Sequence, residues 1–213
     1  METQHDAFEF LEAVLGLAFN MQVINLMQND TSSSVVCLTP GCAATVTQPP
    51  LSNWTLKVHV PVFSEAAPQL RVVVITDLLT EVLDHVEPVV WTCPTCGALS
   101  GLSTDTVGAT PQYLVVQLVR TWAGATNRTR VHVQKELLVQ GKKYFLRAAV
   151  YFTGTSPVRG HYVTSIHREN GDEWLQDDER TSDPVDVGLA AYDATREELV
   201  VGVVYEARGA GDG

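Results

Sequence analysis

His161 and Asp178 are the residues whose types and spacing best suit proton-transfer chemistry, because an imidazole beside a carboxylate can act as a general base. The carboxylate would accept a hydrogen bond from one ring nitrogen and leave the other nitrogen available to take a proton. Between the two residues lies Asn170-Gly171, the dipeptide that best accepts the positive φ angles of a type I′ turn, flanked by strand-forming segments. The spacing therefore predicts a β-hairpin that brings the two side chains together.

The register of this hairpin decides which carboxylate faces the histidine. With a two-residue loop, His167 lies opposite Trp174. His161 and Asp178 are then diagonal neighbours on one face, because side chains alternate across a strand. A loop one residue longer reverses this parity and favours Asp177. A plain cross-strand polar contact between histidine and aspartate, with no role in catalysis, is a further interpretation of the same spacing.

Four cysteines in two close pairs form the second chemical pattern. Cys37 and Cys42 are spaced C-x4-C, and Cys93 and Cys96 are spaced C-x2-C, so each pair suits a turn in which two thiolates converge on one tetrahedral ion. Together the pairs predict one structural zinc site, which stabilises a fold and leaves no position for a substrate. Disulfides, which need an oxidising compartment, and buried thiols without a metal are the alternatives.

Charge and composition limit the classes of partner. The chain has 213 residues, of which 45% are hydrophobic, enough for one substantial core. Its net charge of −11 argues against nucleic acid or an anionic membrane as the main partner.

The sequence also bears on localisation. No apolar run reaches the roughly 18 to 20 residues of a membrane span, and the residues after Met1 do not resemble a secretion signal. We therefore expect an intracellular protein of the cytoplasm or nucleus, and we expect the glycosylation sequons at Asn29, Asn53 and Asn127 to be chance matches.

The elements that must position these residues change from helix to strand near residue 30. Apolar residues recur at helical spacing from Asp6 to about Met27, which predicts an amphipathic helix. Residues 78–83 have helical composition, and Gly209 to Gly213 are expected to form a disordered tail. The remainder is predicted to be mostly antiparallel β, with strands at residues 54–62, 70–75, 113–122, 131–133, 144–152, 161–167 and 199–205.

Ordered motifs along nearly the whole chain resemble the ubiquitin-specific protease family of cysteine deubiquitinases. Residues 4–11 (QHDAFEFL) resemble the family's QQDAHEFL segment, and the two cysteine pairs match its zinc-bearing fingers in order and approximate separation. Residues 110–122 are similar to its P-x-x-L-x-x-x-L-x-R-F strand, and residues 144–150 to its Y-x-L-x-A-V segment. The GHY box at residues 160–162 and the closing strand at 199–206 complete the set.

The resemblance implies an α+β, papain-like fold whose fingers and palm are mostly antiparallel β, with one N-terminal helix and most of the thumb outside this sequence. It implies a partial catalytic domain over residues 1–208, followed by a tail at 209–213. Within the domain it implies a thumb-edge helix (1–29), a zinc fingers subdomain (30–110) and a palm (111–208).

The resemblance also implies roles for particular residues. His161 would be the catalytic base, Asp178 the residue that orients it, and ubiquitin or a ubiquitinated protein the partner. The ligands of the structural zinc would be Cys37, Cys42, Cys93 and Cys96.

The nucleophile is the part of this chemistry that the sequence does not supply. The family's G-N-T-C-Y-M-N-S-like box, which carries the nucleophilic cysteine, is expected well before residues 4–11, and the chain has no fifth cysteine. We therefore expect a ubiquitin-specific-protease-like domain for isopeptide hydrolysis that is inactive alone. The alternatives are a non-catalytic adaptor that binds ubiquitin or another protein, and a zinc-stabilised β domain with no link to ubiquitin.

Overall fold

The computed structural model describes residues 25–63, 72–108, 110–122, 125–156, 159–168, 173–177, 180–181 and 199–208. Residues 25–27 are helical. The further elements, in chain order, are β1 (Asn29–Cys37), β2 (Thr45–Thr47), β3 (Leu51–Asn53), β4 (Leu56–His59), β5 (Val72–Val74), α1 (Ile75–Leu83), β6 (Asp84–Val89), β7 (Gly101–Val107), β8 (Tyr113–Val119), β9 (Thr121–Trp122), β10 (Ala125–Thr126), β11 (Arg130–His132), β12 (Glu136–Val139), β13 (Lys142–Ser156), β14 (Arg159–His167), β15 (Glu173–Asp177), β16 (Arg180–Thr181) and β17 (Leu199–Ala207).

The large sheet has eight strands in the order β16-β15-β14-β13-β17-β8-β4, with β12 also paired to β13. Its pairs are antiparallel except for β4 and β8, which run parallel. The 15-residue β13 is its central strand, bonded to β14 on one side and to β17 on the other. This sheet carries the predicted histidine on β14, next to its longest strand.

A β-bulge in β13 changes which of its residues face the core. The pairing with β17 shifts register between Leu146 and Ala148, so one extra residue enters β13 there. Before the bulge the side chains that belong to the core cluster are Tyr144 and Leu146, and after it they are Ala149 and Tyr151, while Phe152 is buried outside that cluster. This insertion therefore sets which residues of β13 face the core from Ala148 onwards, and the ladder shifts again between Val150 and Tyr151, where the extra residue lies in β17.

The small sheet has five strands, in the order β2-β1-β7-β6 with β3 also paired to β1. Its longest ladder joins β1 to β7 from Thr31–Val107 to Cys37–Gly101. The edge strand β6 contains Pro88, which lacks a backbone N–H and is tolerated at a sheet edge. The sheet thus ends at Cys37, where the connections β1–β2 and β6–β7 meet.

Helix α1 joins the two sheets into one core. Its buried residues, Ile75, Leu78, Leu79 and Leu83, follow helical spacing along one face. They pack with buried residues of β4, β7 and β11, among them Leu56, Val58, Val107 and Val131. The remaining described strands form two short pairs. Strands β5 and β11 run parallel, and strands β9 and β10 run antiparallel.

The prediction of mostly antiparallel β with few helices is confirmed. Residues 78–83 belong to α1, and the predicted strand 144–152 lies inside the longer β13. The predicted strand 113–122 is divided at Arg120, which separates β8 from β9 because its buried side chain bonds to backbone carbonyls. Strand β13 also continues through Gly154 to Ser156, beyond the predicted strand end at residue 152.

Some expectations fall on other parts of the chain. Most of the predicted N-terminal helix and the tail from 209 lie outside the described residues, although residues 25–27 are helical as expected. The proposed domain boundaries stay a prediction. Within the described ranges, every helix is too short or too polar to cross a membrane.

Replacing Leu79 by alanine tests the role of α1 as the joint between the sheets. Leu79 is 1% exposed, so Leu79→Ala should lower the free energy of unfolding by about 2 to 5 kcal/mol through lost burial and the cavity left behind. Leu138→Ala, at a side chain that is 68% exposed, is the matched control and should change it by about 0.5 kcal/mol or less. Urea titration measures both, and equal effects would contradict this account of the core.

Candidate active site and metal centre

Four cysteines from two separate connections converge at one end of the small sheet. Cys37 ends β1 and Cys42 lies in the turn before β2, while Cys93 and Cys96 lie between β6 and β7. The Sγ–Sγ distance is 3.6 Å between Cys37 and Cys96 and 3.7 Å between Cys42 and Cys93, and all four sulfur atoms lie within 4.8 Å of one another. The predicted cysteine set is therefore brought together, and it could hold one metal ion.

The backbone of both turns is shaped so that the sulfur atoms point inward. In the first turn the N–H of Cys42 donates to the carbonyl of Thr39 (3.0 Å), and in the second the N–H of Gly97 donates to the carbonyl of Cys93 (2.9 Å). Gly97 has a φ of 73°, a left-handed conformation that favours glycine. The glycine after the C-x2-C pair is thus required by the turn.

Hydrogen bonds to the sulfur atoms favour thiolates at two of the four positions. The N–H of Ala98 lowers the pKa of Cys96 to about 6, with a further contribution from Thr39. Thr39 also lowers the pKa of Cys37, through its side chain and through its N–H, which lies 3.5 Å from the sulfur.

Cys42 differs from these two cysteines. Its pKa is raised to about 12, because desolvation and the neighbouring thiols outweigh the hydrogen bond from Ala44 that lowers it. Four thiolates this close repel one another unless a cation lies between them, so the chemistry of the cluster favours a bound metal ion.

His161 lies near the start of β14, where it is exposed and pairs with Thr153 of β13. Alternation along β14 places it on the same side as Val163 and Ser165, which are buried against the core. On the core-facing side of the sheet, the side chains in the middle of β14 are therefore buried, whereas the side chain of His161 is accessible to solvent. An imidazole in this position can reach a substrate at the edge of the sheet.

The predicted register of the hairpin is wrong by one residue. His167 pairs with Glu173 instead of Trp174, and Ser165 pairs with Leu175. An odd number of residues separates His167 from Glu173, so a two-residue loop cannot close the hairpin. The buried Ser165 fixes the parity of β14, because a slip by one residue would turn it to the opposite face.

This register affects the choice between the two aspartates. The observed register has the same parity as the alternative with a loop one residue longer. In that alternative, position 177 lies on the same side of the backbone as His161. Asp177 ends β15 and pairs with Arg180, while Asp178 lies outside the described residues. The role of Asp178 as the orienting carboxylate stays a prediction.

Gly160 allows the strand that carries His161 to approach an aromatic ring. A Cβ atom at Gly160 would lie 2.2 Å from Cε2 and Cζ of Phe152 on the neighbouring strand, closer than any real contact. The Phe152 ring also contacts Tyr162, with 5.1 Å between the ring centroids. A glycine before the histidine is therefore a packing requirement.

A second histidine on β14 is held neutral. His167 is partly buried, and desolvation together with the charge of Lys135 lowers its pKa to about 4. Its Nε2 atom lies 3.0 Å from Oγ of Ser165, which is completely buried. Because Ser165 is inaccessible, this pair contributes to packing, and His161 is the histidine of β14 that is open to solvent.

A groove separates the small sheet from β4 and α1. It has a volume of about 810 Å³, and its walls combine serine, threonine and asparagine side chains with apolar ones such as Leu51, Trp54 and Val82. No sequence pattern indicated this groove, because its walls come from six strands and helices (β1, β3, β4, α1, β6 and β7) and from the two loops on either side of β3.

Two of the three sequons have side chains that the fold already uses. Asn29 is fully buried, and the Asn127 amide donates to the carbonyls of Val60 (2.8 Å) and Pro61 (3.1 Å). Asn53 is exposed and donates to Thr31. The Asn-x-Thr pattern at Asn127 forms an Asx turn, in which the N–H of Thr129 donates to Oδ1 of Asn127.

The lowered pKa of His167 predicts acid-dependent stability. Unfolding restores the ordinary pKa of about 6.5, so the unfolded chain binds a proton that the folded chain excludes. This stabilisation is complete above pH 6.5 and is lost as the pH falls towards about 4. The free energy of unfolding, measured by urea titration across this range, should fall less steeply in His167→Gln than in the wild type. Parallel curves would contradict the neutral, buried state.

Comparison with known proteins assigns the fold and the family. A family model described as ubiquitin carboxyl-terminal hydrolase matches residues 1–199, whereas no curated protein matches the sequence. Among solved structures, Ubp8 in the SAGA DUB module with Sgf11, Sus1 and Sgf73, bound to monoubiquitin, is similar at 16% identity and a TM-score of 0.75. The similarity covers 97% of this chain and 49% of that chain, so this chain spans about half the length of its relative. Because the family model matches most of the sequence, the chain belongs to the ubiquitin carboxyl-terminal hydrolase family, as its resemblance to ubiquitin-specific proteases indicated.

Proposed function

We propose that this chain is the fingers-and-palm part of a ubiquitin-specific protease domain, which binds ubiquitin and contributes the general base for cleavage after its C-terminal glycine. The observation that carries the proposal is the family match over residues 1–199. The exposed position of His161 in its GHY box supports it, because the base of such a reaction must reach the substrate.

The proposed chemistry is cysteine-type isopeptide hydrolysis. A thiolate attacks the carbonyl carbon of the ubiquitin C-terminal glycine, and the carbon–nitrogen bond to the leaving amine then breaks, which leaves a thioester. A water molecule attacks this thioester, the carbon–sulfur bond breaks, and the thiol and the ubiquitin carboxylate are released. His161 takes the proton from the thiol and delivers it to the amine, while Asp178 orients the imidazole. The thiol is not one of the four cysteines of this sequence, because all four converge in the metal cluster.

The groove between the small sheet and α1 is the proposed contact surface for ubiquitin. It is wide enough for protein side chains, and Leu51 on its rim is 66% exposed. An exposed leucine among hydroxyl groups offers an apolar anchor surrounded by hydrogen-bonding partners, the arrangement common in protein interfaces. The net charge of −11 would attract a basic face of the partner.

Zinc is the proposed metal of the cysteine cluster. Four thiolates at zinc–sulfur bonds of about 2.3 Å in a tetrahedron are separated by about 3.8 Å. The distances of 3.6 and 3.7 Å between the sulfur atoms are close to this separation. Such an ion stabilises the end of the small sheet, and its thiolate ligands suit a reducing compartment such as the cytoplasm or nucleus.

A second candidate function is a non-catalytic adaptor that binds ubiquitin or another protein. It is favoured by one observation, the use of all four cysteines in the cluster. A fluorogenic conjugate at the ubiquitin C terminus separates the two functions when a segment that carries the family's nucleophilic cysteine box is added to the purified chain. Turnover by the mixture that is lost in His161→Ala would support the protease part, and ubiquitin binding without turnover by the mixture would favour the adaptor.

We expect purified protein to contain about one zinc ion per chain, measured by mass spectrometry of the metal. Cys93→Ser should lose the metal and melt roughly 10 °C lower, because the ligands stabilise the folded sheet only around an ion. Thr95→Ser, a substitution in the same turn that removes no thiol, is the control and should retain the metal and the wild-type melting temperature. Metal-free protein with an unchanged melting temperature would exclude the site.

Ubiquitin binding is expected at low ionic strength and should weaken as salt is added, because charges on the two surfaces attract each other. Leu51→Asp should reduce the affinity at least about tenfold, since it places a charge in the groove. Leu138→Asp adds the same charge at similar exposure, 68% against 66%, but outside the groove, and should have little effect. Calorimetric titration measures all three proteins, and no binding by the wild type would contradict the proposed function.

A further inference from the structure

The segment from Asn127 to Thr129 is held rigidly although it has no regular secondary structure. The Oδ1 atom of Asn127 accepts a bond from the N–H of Thr129 (2.9 Å), which closes an Asx turn. Its amide group and the Thr129 hydroxyl both donate to the carbonyl of Pro61, each at 3.1 Å. The segment is therefore fixed to the chain that follows β4.

A buried guanidinium fixes the same segment from the other side. Arg120 is 5% exposed, and its Nη1 atom donates to the carbonyls of Asn127 (3.3 Å) and Thr129 (2.6 Å). Its Nε atom donates to the carbonyl of Val200 in β17 (2.5 Å). Charged donors inside a protein bind carbonyls strongly, so the segment is tied to the large sheet.

From this rigid support Arg128 reaches the hairpin that carries His161. Its Nη2 atom donates to the carbonyl of Gly154 (2.6 Å). Gly154 pairs with Gly160, and the ladder between β13 and β14 shifts register just beyond that pair. Arg128 thus bonds to the hairpin where the two strands cease to pair regularly.

The carbonyl that Arg128 holds lies close to the histidine along the backbone. His161 directly follows Gly160, the residue opposite Gly154. Gly160 packs on the ring of Phe152 without space for a Cβ atom, so a displacement at this pair would move the histidine backbone. His161 itself pairs with Thr153 of β13, and Thr153 directly precedes Gly154.

We propose that Arg128 is a positioning residue for His161. By bonding to Gly154 it joins the irregular end of the β13–β14 hairpin to the rigid segment 127–129, and it thereby fixes the direction of the imidazole. The contribution of Arg128 to catalysis rests on the proposed function of His161 as the base. The coupling between Arg128 and His161 does not rest on that function, and it can be measured on the chain without ubiquitin.

The test compares Arg128→Ala, Arg128→Lys and the matched control Arg130→Ala, an exposed arginine two positions away in β11. Hydrogen exchange followed by NMR reports opening of the hairpin. In Arg128→Ala the amides of residues 152–154 and 160–162 should exchange about tenfold faster, since a charged hydrogen bond is lost. Lysine retains a positive donor and should restore part of the protection.

The titration of the two histidines of β14 provides the readout that a general structural role would not change. In Arg128→Ala the ring signal of His161 should broaden or titrate differently, because the ring samples more orientations, while the signal of His167 stays as in the wild type. Faster exchange across the whole large sheet, unchanged exchange in Arg128→Ala, or an equal effect of Arg130→Ala would each overturn the proposal. Failure of the wild-type chain to bind ubiquitin would count against the proposed function and not against this coupling.

Discussion

The parity of the central strand β13 decides which side chains of the large sheet face the core. One extra residue near Arg147 exchanges the core-facing and outward-facing positions of β13, so that Tyr144 and Tyr151 are both buried despite their odd spacing. The side chain of Arg147 pairs with Glu206 of β17 beside the bulge, at 2.5 Å from Nε. Strand β14 takes its register from β13 after the bulge, and the side on which His161 lies follows from it.

The small sheet has a different source of stability. Its strands are rich in serine and threonine, and most of their side chains are exposed or only partly buried. Folding therefore removes little apolar area from water along β1 and β7, apart from the region that packs on α1. The four converging cysteines lie at the end of the sheet that is farthest along β1 from Asn29, where other stabilising contacts are needed. Burial therefore stabilises the large sheet, whereas this end of the small sheet carries four cysteines that could hold a metal ion.

Short-range sequence patterns predicted the parts of this fold that local chemistry controls. The apolar runs of β13, β14 and β17 and the two cysteine pairs were identified, because burial and metal ligation each leave a clear pattern. The serine-rich β1 and the proline-containing β6 were missed, since their pairing depends on distant partners. The hairpin register was wrong because it assumed a two-residue loop at Asn170-Gly171, whereas His167 pairs with Glu173.

The use of Asn29 and Asn127 inside the fold has a consequence for producing this protein. Glycan transfer in the secretory pathway acts on chains that have not finished folding, when both sequons are accessible. A glycan on Asn29 would occupy a fully buried position, and one on Asn127 would displace the amide that bonds to Val60 and Pro61. Secreted expression in a eukaryotic host would therefore divert the chain to misfolded glycoforms, whereas expression in a bacterial cytoplasm leaves both side chains free to fold.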